Sequence, residues 1–258
     1  MADAECFELD PALRAAVRGV RDIGVITGAG ISAESGIRTY RGEGGVYDDP
    51  DEGDRTVDAL SGHTLRRDPA RTWRVVLALA RQSASAAPGP GHLALVAMEQ
   101  WAERFTLLTQ NVDGLHGIAG SRNLIEIHGR VGAARCLSCG AGREFDRPTL
   151  AALEEPPPCE ACGGMLRPGA VLFGEQLPLE PLGRLQADFI DHAPELLIVV
   201  GTTALFPYIV EPVRLATARG RVVVEVNPER TSLSALVDWH LPVGAGLGLR
   251  ALLEALRA

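Results

Sequence analysis

No run of apolar residues in this chain reaches the roughly 20 needed to span a bilayer, so no transmembrane helix is expected. Met1 to Glu8 carries acidic residues and no apolar stretch of the kind a secretory leader needs. A reducing cytoplasm is therefore the expected compartment. Positive charge is also in short supply. The net charge is −8 and the pI about 5.3, which gives no general attraction to nucleic acid or to an anionic membrane. There is no internal repeat, no low-complexity tail, no exposed heptad and no long apolar edge, and a monomer is the expected state. What is present is 258 residues, 46% of them hydrophobic, enough for one sizeable core and a small module.

Four of the five cysteines form two knuckles, Cys136-Leu137-Ser138-Cys139 and Cys159-Glu160-Ala161-Cys162, with nineteen residues between them. Each CxxC turn offers two thiolates to one metal, and this separation points to a single structural zinc. Four thiolates leave no coordination position open, so the metal is expected to hold structure rather than to catalyse. Two disulfides or a redox pair is the alternative, which a reducing compartment disfavours. Cys6 reads as an ordinary N-terminal thiol.

Apolar runs at 24–27, 105–109, 123–127, 195–200 and 221–226 read as strands. Helices are expected over 10–20, 68–86, 92–101 and 247–256, with Pro88-Gly89-Pro90-Gly91 stopping the second of them. Residues 36–54 read as a long loop, and the cysteine segment as poor in regular structure. Apolar strands alternating with helices predict an α/β protein with a parallel sheet covered on both faces. The strands end at Gly28, Gln110, His128, Gly201 and Asn227. Ligands bind beyond the carboxyl ends of such strands, so these residues are expected to converge on one site.

Gly28-Ala29-Gly30-Ile31-Ser32-Ala33 follows the first strand and fits G-x-G-x-x-G/A. The first glycine allows the tight turn, the second lets backbone approach a pyrophosphate, and the small Ala33 allows close packing. A glycine-rich turn without nucleotide is the alternative. The acidic residue expected about 20 positions later is ambiguous among Asp48, Asp49, Asp51 and Glu52, which fall in a loop. That departure argues against an ordinary dehydrogenase.

The longer string from Gly28 to Ile37 followed by Arg41 resembles the sirtuins, the NAD-dependent protein lysine deacylases. So do Thr109-Gln110-Asn111-Val112-Asp113, His128-Gly129, the two CxxC pairs, Phe173-Gly174-Glu175, Gly201-Thr202-Thr203 and Asn227, all in family order. The resemblance implies a Rossmann-like domain from 1–40, 92–129 and 173–258. It implies a small domain made of a helical insertion, 41–91, and a zinc ribbon, 130–172, with NAD and acylated peptide meeting in the cleft between the two domains. The implied chemistry is attack by the acyl-lysine oxygen on the nicotinamide ribose, departure of nicotinamide, and base-assisted attack by a ribose hydroxyl. Hydrolysis then gives lysine and O-acyl-ADP-ribose.

By the same resemblance His128 is the general base, a role its ordinary pKa of about 6.5 suits. Asn111 and Asp113 hold the nicotinamide and its ribose, with Gln110 and Val112 beside them. Gly28, Ala29, Gly30, Ala33, Glu34, Gly36, Tyr40 and Arg41 form the nucleotide loop. Gly201, Thr202, Thr203 and Asn227 hold the phosphate and adenosine end, and Ala245 lies against adenine. Phe173, Gly174 and Glu175 pair with the substrate strand, while Val171 and Phe173 line the acyl-lysine tunnel. The implied partners are acylated-lysine proteins, for instance metabolic enzymes such as acyl-CoA synthetases.

Two departures from the family pattern stand out. Gly36-Ile37-Arg38-Thr39-Tyr40-Arg41 has Arg38 and Tyr40 where many sirtuins have proline and phenylalanine. Members that remove succinyl or malonyl groups carry Tyr-x-x-Arg on a small-domain helix, and alignment on Pro69 and Trp73 places Val76 and Leu79 there. An acidic acyl group would lose its solvation without gaining a partner, so acetyl or a longer apolar acyl group is expected over succinyl. Arg71 or Arg74 could serve if the helix is shifted in register. An NAD glycohydrolase or mono-ADP-ribosyltransferase on the same fold, and a non-catalytic NAD-dependent reader of acylated peptides, are the competing functions.

Overall fold

The computed structural model describes residues 7–40, 45 and 49–258; Cys6, Arg41 and Asp48 lie outside them. Its strands are β1 (Asp22–Thr27), β2 (Arg104–Thr109), β3 (Leu124–Glu126), β4 (Ala133–Cys136), β5 (Gly142–Glu144), β6 (Leu166–Pro168), β7 (Leu196–Val200), β8 (Val222–Val226) and β9 (Trp239–Leu241). Its helices are α1 (Pro11–Val17), α2 (Gly30–Ala33), α3 (Pro50–Ala59), α4 (Gly62–Arg67), α5 (Pro69–Ser83), α6 (Pro90–Trp101), α7 (Leu115–Ala119), α8 (Arg147–Ala152), α9 (Leu179–Leu185), α10 (Pro207–Ala218) and α11 (Ala245–Arg257). Helix α9 runs on as a π-helical segment, Gln186–Asp191.

Six strands form one parallel sheet in the order β3-β2-β1-β7-β8-β9. The chain winds outward from β1 in one direction, then returns to the middle and winds outward in the other. The order therefore reverses between β1 and β7, where a doubly wound sheet opens a crevice at its carboxyl edge. Alternation along each strand builds two cores. Ile23, Val25, Leu196, Ile198 and Val200 face α1, α6 and α11, while Ile26, Leu197 and Val199 face α10 and the π-helical segment.

A third core is separate from the sheet. Antiparallel strands in the order β5-β4-β6 pack with α4, α5 and α8 around Trp73, Leu77, Phe145 and Leu166. The Trp73 indole, fully buried, donates to the Leu166 carbonyl at 2.8 Å and fastens the helical insertion to the ribbon. The cysteine segment is thus more regular than its sequence suggests, with three strands and α8.

Two other expectations need correction. Pro90-Gly91 opens α6 instead of ending the helix before it, because proline at the first helical position forgoes only an amide that has no partner there. The acidic residues of the expected long loop cap a helix. The Asp49 carboxylate accepts from the backbone amides of Asp51 and Glu52 at the start of α3. Arginine supplies all 25 of the basic Lys-plus-Arg residues. Among the described residues the ion pairs accordingly use arginine, or His192 with Asp22.

Candidate active site and metal centre

A cavity of about 1380 Å³ opens beyond the carboxyl ends of β1, β2, β3, β7 and β8 and runs under the third core. Gly28, Gln110, His128, Gly201 and Asn227, read from the five strand ends, all line it. The β1 and β7 turns touch at the switch point. A Cβ on Gly30 would lie 2.6 Å from the Gly201 Cα, and Gly201 itself has φ +57. The second glycine of the loop is therefore required first by this backbone contact, and Gly30 N donates to the Gly201 carbonyl at 2.8 Å.

Ala29, Ala33, Glu34 and Tyr40 line the loop side of the cavity, and Thr202, Thr203 and Ala245 its far end. Gly36, at φ +79, turns the chain away and does not line it. Asn111 is nearly buried, its amide donating to the Gly28 carbonyl and to Ser32 Oγ, both at 3.1 Å. Ser32 in turn donates to Asp113 Oδ2 at 2.7 Å. Asp113 stands behind the cavity wall, with its Oδ1 accepting from the Leu115 amide at 2.9 Å. It orients Asn111 through Ser32, a residue the sequence reading quoted but did not single out. The Gln110 side chain donates to Thr202 Oγ1 at 2.9 Å, and the Asn227 amide to the Thr202 carbonyl at 3.3 Å.

His128 Nδ1 lies 2.8 Å from the Gln110 carbonyl. A carbonyl only accepts, so Nδ1 carries the proton and Nε2 holds the lone pair. Burial pulls the imidazole pKa below its usual 6.5, opposed by the Gln110 carbonyl, so the ring is a neutral base near pH 7.

Under the third core the cavity wall turns apolar, with Val57, Leu60, Val76, Leu79, Val112 and Val131. Val76 and Leu79 both face it, one helical turn apart on α5. Arg71 is engaged with Asp58 at 2.7 Å, Arg74 Nε donates back to the Ala70 carbonyl, and neither lines the cavity. Val171, Phe173, Gly174 and Glu175 form the adjoining edge. Phe173 N donates to the Leu60 carbonyl and Gly62 N to the Phe173 carbonyl, so this edge is already tied to α4. The Glu175 carboxylate binds Arg167 at 2.8 Å and the Leu172 amide at 3.0 Å.

The four sulfurs of Cys136, Cys139, Cys159 and Cys162 lie within 4.8 Å of one another. Cys136 and Cys162 are 3.5 Å apart, Cys139 and Cys159 3.7 Å. A tetrahedral zinc with Zn–S of about 2.3 Å has S···S edges of about 3.8 Å, so the cluster fits one ion. The amides of Ser138 and Cys139 point at the Cys136 sulfur and that of Gly164 at the Cys162 sulfur, as thiolate acceptors require.

Tyr208, Phe206 and Leu205 also line the cavity and were missed by the sequence reading. Pro207 was the available signal, since it opens α10 as a first-turn proline.

Comparison with known proteins places this geometry in context. The family model described as "Sir2 family" matches residues 28–206. The chain is similar to the "NAD-dependent protein deacylase 2" of Pseudomonas aeruginosa, 45% identical over 86% of this chain and 88% of the relative. It superposes with a TM-score of 0.83 on a crystal structure of a Sir2 homolog–NAD complex, 32% identical, over 97% of this chain and 94% of the other. A further Sir2 structure, with deacetylated p53 peptide and 3′-O-acetyl ADP-ribose, is 25% identical with a TM-score of 0.81, over 94% of this chain and 96% of that one. The loop, the strand ends, the ribbon and these matches agree: the chain belongs to the Sir2 family.

Proposed function

We infer that this chain is an NAD-dependent protein lysine deacylase. The observation that carries the reading is His128, a neutral base pinned at Nδ1, at the end of β3 between a nucleotide-sized crevice and an apolar tunnel. NAD supplies the ADP-ribose to which the acyl group passes. The chain supplies position and charge. The Gly28–Ala33 turn and Thr202, Thr203 and Asn227 hold the phosphate and adenosine end. Asn111, aimed by Ser32 and Asp113, holds the carboxamide end, and His128 Nε2 takes the proton from a ribose hydroxyl. Tyr40 closes the loop side, and Gly174 offers backbone to the peptide, Phe173 being tied to Leu60 and Gly62.

The substrates are acylated lysines of other proteins, metabolic enzymes such as acyl-CoA synthetases among them. Cytoplasm suits the four thiolates, which would hold one structural zinc, and the chain is read as a monomer. No helix among the described residues is long and apolar enough to cross a membrane. Release of nicotinamide that requires acyl peptide is the deciding measurement. Release without peptide would assign the chain to glycohydrolysis or ADP-ribosyl transfer, and no release would make it a reader.

The apolar tunnel sets an acyl ranking. With Arg71 turned to Asp58 and with Asp54 on the cavity wall, a succinyl carboxylate finds no cation among the described residues of the apolar wall and loses its hydration. Acetyl- and butyryl-lysine peptides are expected to turn over at least about tenfold faster than succinyl-lysine, a discount of about 1.4 kcal/mol. Mass spectrometry of three otherwise identical peptides checks this, and comparable succinyl turnover would refute it.

The state of His128 sets the acid limb. Its pKa lies below 6.5, so the free enzyme keeps its base neutral down to that pH and loses activity as pH falls through the lowered value. A kcat/KM profile reads the free-enzyme pKa, and an acid limb above pH 6.5 would contradict the assignment.

A further inference from the structure

The lone pair of His128 that the proposed chemistry needs is already occupied. The Tyr208 hydroxyl lies 2.6 Å from Nε2 and, with Nδ1 donating to Gln110, the phenol must be the donor. The contact is built rather than incidental. The Tyr208 ring stacks on Phe206 with centroids 5.2 Å apart and planes at 11°, and both rings stand edge-on to the imidazole.

The segment that aims them is strained. Buried Ala204 sits at φ 49, a left-handed conformation that a residue with a side chain keeps only when its surroundings impose it. Its amide donates to Thr202 Oγ1 at 3.1 Å, and the same hydroxyl accepts from the Gln110 side chain. Gln110 thereby braces both the imidazole, through its carbonyl, and the turn that delivers the phenol. Burial pushes the Tyr208 pKa up to about 12, so the hydroxyl keeps its proton at any working pH.

We propose that Tyr208 is a positioning residue that stands in for the substrate's ribose hydroxyl, holding His128 as a neutral, Nδ1-protonated base while the site is empty and yielding Nε2 when the sugar arrives. The proposal rests on the reading of His128 as the base. It follows that the phenol and the ribose hydroxyl compete for one acceptor. Ligands that carry the sugar must displace it, and ligands that lack the sugar need not.

Tyr208→Phe keeps the stacked ring and removes only the donor. In the zinc-loaded protein, calorimetry with ADP-ribose and with ADP separates the two classes of ligand. ADP-ribose is expected to bind about two- to tenfold more tightly to the variant, the worth of one ordinary hydrogen bond, with ADP unchanged. The KM for NAD should fall with it. In a His128→Ala background the phenol has lost its acceptor, so the gain should vanish. Unchanged or weaker ADP-ribose binding, a parallel change in both ligands, or an equal gain without His128 would each overturn the proposal. Deacylation that survives in His128→Ala would instead remove the base assignment, while the comparison of the two ligands still decides whether the phenol competes for Nε2.

Discussion

Replacing His128 with alanine is expected to cost about 10²- to 10⁴-fold in deacylation, the usual contribution of a positioned general base, with the fold intact. The imidazole is nearly surrounded, yet its hydrogen bonds go to the Gln110 carbonyl and the Tyr208 phenol, both at the open cavity, where water can replace it. The loss should therefore appear in turnover rather than in melting temperature. Nicotinamide release is the more informative readout. In the proposed chemistry cleavage of the glycosidic bond precedes the base's step, so a variant that still releases nicotinamide but leaves the peptide acylated places His128 after that cleavage. Full deacylation in the variant would remove His128 from the mechanism.

Removal of zinc is the second large effect. In zinc-finger peptides a structural site contributes about 10–16 kcal/mol, as much as or more than the whole stability of a typical domain, about 5–15 kcal/mol. Here the site is continuous with the third core, where Cys136 and Cys159 pack with Trp73 and Leu166. It is also continuous with the cavity. Val171 N donates to the His128 carbonyl at 2.8 Å, and Val131 N to the Val112 carbonyl at 3.0 Å. A strong chelator, or Cys159→Ser, should abolish deacylation and release one zinc per chain, with loss of protease resistance across residues 130–172. Full activity in a protein shown by metal analysis to be zinc-free would refute the structural role.

What could be read from the sequence followed physical lines. Strand β7 is an unbroken apolar run and β1, β2 and β8 are largely apolar, because helices cover both faces, and their ends named the cavity wall correctly. Strand β9 has three residues at a sheet edge, too short to leave a period. Helices α3 and α4 are short and polar, announced only by the caps Asp49 and Ser61. Asp113 was read with its neighbour Asn111, yet the turn at Gly114, φ +73, points it at the start of α7. Pro207 announced the start of α10 but not its aim, since what brings Tyr208 to His128 is a left-handed alanine, a conformation that alanine's presence does not advertise.

The arginine-only surface has a consequence for the enzyme's own chemistry. Acyl-CoA and acyl-phosphate donors modify amines, and lysine is the side chain they modify. Along these 258 residues there is no ε-amine to modify. A protein that erases lysine acylation thus carries none of the mark on its own side chains. The metabolic state that loads its substrates with acyl groups cannot adjust it by the same route, and each acyl-lysine in its cavity must come from a different molecule.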